Sequence, residues 1–275
     1  MDYRPIGIFD SGLGGLTAVI ALRELLPDEN IIYFGDTARM PYGTKSVSAL
    51  RQIAGQDLEL VAGHDVKAII AACGTVSSTA PDILAGFRIP VFNVVDSPVR
   101  KIAGIHCDAP IGVIATEASI GSGFFANRLS AVCPGRKIIA RSCQDFVRLI
   151  ENGRTDSSDP EVRECVREKL LPLKEAGVSS LLLGCTHFGF LSEAISEYMG
   201  ANAELISASE CAAESVCGYL MRNSLSGGSG EISFITSGDR ELFIRLSSRL
   251  LGYDTAPYTV HAEIPDETEE GCEAP

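Results

Sequence analysis

The chain has 275 residues, 45% of them hydrophobic and 21% charged, enough apolar material for one large or two modest domains. Its formal charge of −13 argues against nucleic acid or an anionic membrane as partner, because both reward clustered Lys and Arg. No run of about 18 apolar residues occurs, and the opening MDYRPIGIFDSG lacks a basic segment leading into an apolar stretch, so neither membrane span nor signal peptide is expected and the expected location is the cytoplasm.

Short β-rich apolar runs alternate with longer amphipathic stretches. In chain order they are IGIFD then a helix over 15–26, NIIYFGD then 46–62, KAIIAAC then 77–86, and IPVFNVV then 97–104. The second half repeats the rhythm: PIGVIAT then 121–131, KIIARSC then 143–151 and 160–175, SSLLLGC then 190–199, and AELIS then 209–223. A Gly/Ser-rich connector at 224–230 leads to a last strand, ISFIT, and a helix around 239–251. Continuous apolar strands separated by helices indicate parallel sheets covered on both faces, so the fold class is α/β.

The halves echo each other. IGIFDS (6–11) and IGVIAT (111–116) align at an offset of 105, and the stretches ending at Cys73 and Cys185 lie 112 apart. The expected architecture is two similar doubly wound α/β lobes whose strand C-termini line an interlobe cleft. Residues 1–97 with 208–260 would form the first lobe and 98–207 the second. The segment 261–275, which holds six acidic residues and no Lys or Arg, would be a disordered acidic tail.

Nine cysteines stand at irregular positions (73, 107, 133, 143, 165, 185, 211, 217 and 272), without the dense spacing of a disulfide scaffold, so most are expected to be reduced. No C-x-x-C pair exists, and Cys185 with His187 is too small a set for a structural zinc site, which needs about four ligands; no metal is expected. Cysteine is commonly buried as a small hydrophobe, and that reading suits six of the nine, Cys107, Cys133, Cys143, Cys165, Cys211 and Cys217. Cys73 and Cys185 differ: each ends an apolar strand and precedes a Gly/Thr-rich turn into a helix, where backbone N–H groups and the helix dipole are expected to lower a thiol pKa toward neutrality. Two such thiols at equivalent places form an acid–base pair able to take a proton from one face of a carbon and return it to the other.

The remaining motifs fit a small anionic ligand. FDSGLGGLTA (9–18) is a strand, a Gly-rich turn and a helix start, but it is neither G-x-G-x-x-G nor a P-loop. Asp10 and Ser11 project at the strand end, where a plain helix cap is the simpler role for D-S-G. Pro41, Tyr42 and Gly43 make a turn whose N–H groups could hold a carboxylate. Thr75, Thr116 and Thr186 add hydroxyls at strand ends.

Taken together, IGIFDSGLGGLTA, YFGDTARMPYGTKS, CQDFVRLIENG, LLLGCTHF and TSGD resemble the glutamate racemases, the cofactor-independent enzymes of the aspartate/glutamate racemase superfamily, over most of the chain. The resemblance implies that Cys73 and Cys185 are the acid–base catalysts, with Asp10 near the first and Glu151 and His187 near the second. It implies that Ser11, Tyr42 and Gly43 hold the substrate's side-chain carboxylate while Gly74, Thr75 and Thr186 hold its amino and α-carboxylate groups. It further implies no cofactor, D-glutamate supply for bacterial peptidoglycan as the role, and a homodimer as an assembly compatible with the family.

Four departures stand out. Gly74 replaces the asparagine of the usual C-N-T, removing an amide donor; one hydrogen bond to a charged ligand group is worth about 1.5 to 3 kcal/mol, roughly tenfold to a hundredfold in affinity. Ser207 stands where aspartate often follows L-I, Gly189 where proline is commoner, and CQDFVRL lacks expected prolines. Three alternatives stay open beside the glutamate reading. One is a racemase for aspartate or another small amino acid; another is a cysteine hydrolase with Cys185 as nucleophile and His187 as base. The third is a non-catalytic amino-acid-binding protein.

Overall fold

IGIFD is buried at every position, and so are AIIA, IGVIA and SLLL, which places these segments inside a layer with helices on both sides. The computed structural model describes residues 1–264. Its first half runs β1 (Ile6–Asp10), α1 (Leu16–Leu25), β2 (Ile31–Gly35), α2 (Val47–Ala62), β3 (Ala68–Ala71), α3 (Gly74–Thr79), α4 (Pro81–Ala85), β4 (Val91–Asn93) and α5 (Asp96–Ala103). Next come β5 (Ile111–Ala115), α6 (Glu117–Gly121), α7 (Phe124–Val132), β6 (Ile138–Ser142), α8 (Gln144–Glu151), α9 (Pro160–Glu175), β7 (Ser180–Leu183), α10 (Ser192–Met199) and β8 (Glu204–Ser207). The chain then passes through α11 (Ala208–Arg222), β9 (Ile232–Thr236), α12 (Arg240–Leu251) and β10 (Thr259–His261).

Two parallel sheets result, in the orders β10-β9-β2-β1-β3-β4 and β6-β5-β7-β8. The echo in the sequence is therefore an echo in topology: β2-β1-β3-β4 and β6-β5-β7-β8 have the same order. Ile6 pairs with Ile31 and Ala68, and Ile111 pairs with Ile138 and Ser180. The second residue of each central strand is glycine for one reason in both lobes. A Cβ at Gly7 would overlap Val61 Cγ1 and press on Val66, and one at Gly112 would come within 2.9 Å of both Leu181 Cδ1 and Val178 Cγ1. Side chains alternate between layers as the strand period requires: Ile6 and Ile8 join the core under α1 and α11, and Phe9 joins the core under α2. Cys73, Cys107, Cys133, Cys143, Cys165, Cys185, Cys211 and Cys217 are free thiols.

Helix starts follow side-chain caps. Ser46 accepts from Ala49 N, Asp159 from Glu161 N and Asp239 from Leu242 N. Ser207 caps α11 by accepting from Glu210 N, so the departure from aspartate keeps a capping oxygen there. Beneath the first sheet, buried Lys67 pairs with Glu29 and donates to the carbonyls of Asp2, Leu225 and Gly227, tying the Gly/Ser-rich connector to the chain's first residues. α11 packs mainly on α1, and α5 touches both α11 and α7, joining the lobes.

Four points differ from expectation. The helix expected over 77–86 is two helices, α3 starting immediately after Cys73 and α4 starting at Pro81, because proline cannot donate to the preceding turn and disfavours a helical residue before it. The helix expected over 121–131 begins earlier as α6 and restarts as α7 after Gly123, whose φ of 66° breaks the run. β10, which extends the first sheet beside β9, was not foreseen; three residues carry too little periodicity. The tail expected from 261 begins on the last residue of β10, and residues 265–275 lie outside the described residues. Among the described residues no helix is long and apolar enough to cross a membrane.

Candidate active site

Every parallel strand points its carboxyl end the same way within its sheet, and a cavity of about 350 Å³ is lined by residues that follow strand ends of both sheets. Asp10 and Ser11 come from the end of β1, Pro41, Tyr42 and Gly43 from the segment after β2, and Cys73, Gly74 and Thr75 from the end of β3. The second sheet contributes Thr116 after β5 and Cys185, Thr186 and His187 after β7, with Glu151 from the end of α8. All the residues named in the sequence as candidate catalytic or substrate-binding groups thus line one cavity.

The two thiols are held alike and surrounded differently. Cys73 is the residue before α3; its Sγ–H donates to Ser11 Oγ at 3.7 Å. Burial, then the nearby Asp10 charge, pushes this thiol up to about 12, outweighing the N–H groups of Val76 and Thr75 that favour the thiolate. The expected lowering of its pKa is therefore corrected: α3 is short, and the apolar strand end that positions the sulfur also removes it from water. Asp10 Oδ2 accepts from Gly12 N at 3.1 Å and Gly15 N at 3.0 Å, so it caps the entry to α1 and lines the cleft at once. Burial raises its pKa against the opposing pull of His187 and those amides.

Cys185 precedes a 3₁₀ segment, Thr186–Leu191, and its Sγ lies 3.7 Å from His187 Nδ1. His187 Nε2 faces Glu151 Oε1 at 3.6 Å. Burial works against the imidazolium, but the close contacts with Cys185 and Glu151, then the charges of Cys185 and Asp10, overcome it and raise His187 to about 10. Thr17 of α1 crosses between lobes: its Oγ1 donates to Gly14 O at 2.8 Å, reaches Thr186 O at 3.1 Å and meets Ser209 Oγ at 2.7 Å, steadying the segment that carries Cys185 and His187. Gly189 packs there, since a Cβ would stand 2.9 Å from Thr17 Cγ2.

At Gly74 the two cysteine turns pack closely. A Cβ there would stand 3.0 Å from Gly184 O, the residue before Cys185. Glu117, Ser119, Gln144 and Val147 also line the cavity and were not singled out. The last two lie seven and four residues before Glu151 on α8, so helical spacing from Glu151 was the available signal. Among the described residues no group of three or more His, Cys, Asp or Glu side chains is placed to hold a metal ion.

Comparisons with known proteins agree with this geometry. The family model described as Asp/Glu/Hydantoin racemase matches residues 17–216. A glutamate racemase of Beutenbergia cavernae is 38% identical over 268 residues, 92% of this chain and 91% of that one. The solved glutamate racemase of Thermus thermophilus, in complex with β-chloro-D-alanine, superposes with a TM-score of 0.84 at 35% identity, covering 96% of this chain and 99% of that chain. That of Francisella tularensis, in complex with D-glutamate, gives 0.83 at 34% identity over 98% and 99%. With equivalent thiols from two like lobes on one cleft and this likeness along nearly its whole length, the chain belongs to the Asp/Glu/hydantoin racemase family.

Proposed function

We propose that this protein is a glutamate racemase that interconverts L- and D-glutamate by proton transfer between Cys73 and Cys185. The observation that carries the reading is the placement of both sulfurs, from the topologically equivalent strands β3 and β7, on one small cavity with opposite electrostatic surroundings. One sulfur, as thiolate, takes the Cα proton; the electron pair left on carbon spreads into the substrate's α-carboxylate, and the other sulfur, as thiol, returns a proton from the opposite side. In this reading Cys73, pushed up to about 12, is the proton donor for one direction, and Cys185, with the His187 imidazolium beside it, is the acceptor. For the reverse reaction the roles exchange, and no step requires a cofactor.

Because the chain as a whole is acidic, the substrate's carboxylates must be held at short range by N–H and O–H groups. In this reading Ser11 and the turn at Pro41, Tyr42 and Gly43 take the side-chain carboxylate, and Gly74, Thr75, Thr116, Thr186 and His187 surround the α-carbon substituents. The product would serve peptidoglycan synthesis in the cytoplasm. Incubating the purified protein with L-glutamate in D2O tests the reading: deuterium should enter Cα as D-glutamate appears, and D-glutamate without label would reject a proton-transfer route. A second substrate reading rests on Gly74, which offers no side-chain amide. A panel of amino acids followed by circular dichroism decides it, and faster inversion of aspartate than of glutamate would replace the first reading.

A further inference from the structure

Behind the wall formed by residues 40–44 lies a closed polar cluster that the proton-transfer mechanism does not use. Asp36, Arg39, Tyr42 and Asp57 are all buried. Asp36 Oδ1 accepts from Ser237 Oγ at 2.7 Å, and its Oδ2 accepts from Arg39 Nε at 2.6 Å and from the Tyr42 hydroxyl. On α2, Asp57 Oδ1 accepts from Arg39 Nη2 at 2.7 Å, and its Oδ2 lies 2.9 Å from the same Tyr42 hydroxyl.

Counting hydrogens exposes a deficit. A phenol has one hydrogen to donate, yet two carboxyl oxygens sit within hydrogen-bond distance of it. If both carboxyls were ionised, one of these contacts would set two oxygens together with no hydrogen between them. Two buried negative charges would also face the single cation of Arg39. The other titratable groups that act on the cluster, Asp10 from β1 and Cys73 from the end of β3, add negative charge when ionised and make this worse.

We propose that Asp36 and Asp57 are positioning residues that share one proton, completing the chain Asp57 to Tyr42 to Asp36 and so anchoring the 40–44 segment against the cleft. Asp57 Oδ2–H donates to the Tyr42 oxygen, Tyr42 donates to Asp36 Oδ2, and the Asp36 carboxylate, with Arg39 beside it, accepts from three donors. The cluster is then neutral and fully paired. Burial first, and the Asp36 charge second, hold the Asp57 carboxyl well above the usual carboxylate range, in line with this arrangement. Burial, then Asp57, likewise keeps Tyr42 a phenol. With its hydroxyl engaged, Tyr42 leaves the backbone of its 3₁₀ turn, Tyr42–Thr44, to meet a ligand in the cavity.

The test has two arms, of which only the second rests on the racemase reading. Infrared spectra of the whole, ligand-free protein at pH 8 should show the carbonyl band of a neutral carboxyl that is lost in Asp57→Asn. Equal bands in the two proteins would overturn the proposal, whatever the enzyme's substrate. In glutamate kinetics, Asp57→Asn, whose amide N–H replaces the shared proton, should keep KM within about twofold, whereas Asp57→Ala should raise KM about tenfold with a smaller change in kcat. An Asn variant as impaired as the Ala variant would also overturn it. If Asp57→Ala does not fold, the infrared comparison decides alone.

Discussion

The two lobes build the same backbone device and give it opposite electrical settings. In each, a buried strand beside a central, glycine-bearing strand ends at cysteine, and the chain turns at once into a short helical segment. In the first lobe the sulfur meets a carboxyl group, Asp10, and is driven up to about 12. In the second it meets His187, itself raised to about 10. Backbone likeness places two sulfurs on one cleft; the unlike neighbours set a carboxyl beside one and an imidazole beside the other. A symmetric pair of identical thiols, each in the Cys73 environment, would hold two protons and lack a base.

The sharpest way to break this comparison is to remove each sulfur. Cys73→Ala and Cys185→Ala should each lower racemisation at least about a thousandfold, near the upper range for a positioned acid–base group, with an unchanged far-ultraviolet dichroism spectrum. Full activity in either variant would end the two-thiol account. Next in size is reactivity. At pH 8 and without substrate, mass-spectrometric mapping should find Cys73 alkylated by iodoacetamide roughly a hundredfold more slowly than an ordinary accessible thiol, since so little is thiolate. Asp10→Asn should speed Cys73 about tenfold by removing the second cause of its raised value. No change would show that the carboxyl does not set this half apart.

The third prediction concerns stability. His187 has a folded value of about 10 against its ordinary 6.5, so the folded protein binds an extra proton between them. Its stabilising contribution is fully present below about 6.5 and lost as pH rises toward about 10, with a slope of at most ~1.4 kcal/mol per pH unit. The raised value of Cys73 gives the same sign, between 9.0 and about 12. Urea unfolding of His187→Gln should therefore show a flatter decline than the parent between pH 7 and 9, and parallel declines would refute the imidazolium assignment. The smallest effect probes the shared scaffold. Gly7→Ala and Gly112→Ala should each cost about 1 to 3 kcal/mol through overpacking, the former more because Val61 is overlapped outright. A neutral result in one lobe would show that the two central strands are not packed alike.

Much of this was legible in the chain because the signals were local. Continuous apolar runs such as IGIFD and SLLLG could only be buried parallel strands, and an apolar run ending in Cys then Gly or Thr marked a strand end turning into a helix. The roles of Glu151 and His187 come from the resemblance to the racemases, and Gln144 and Val147 become visible only once Glu151 is placed on the cleft, because their helical spacing from it is a signal with no meaning until that helix side is known to face the cavity. The Asp36, Arg39, Tyr42 and Asp57 cluster joins the loop after β2 to α2, and Asp36, Arg39 and Asp57 taken singly look like ordinary surface polar residues.

By itself, then, the order of residues determined the α/β class, the repeated strand device and the two cysteines that follow its strands, because hydrophobic periodicity and turn chemistry act over a few neighbours. Tertiary structure alone decided which groups surround each sulfur. The helix-start argument pointed Cys73 toward a low pKa, and the fold reversed it: desolvation and a carboxyl from another strand act through space, and neither leaves a trace in local spacing.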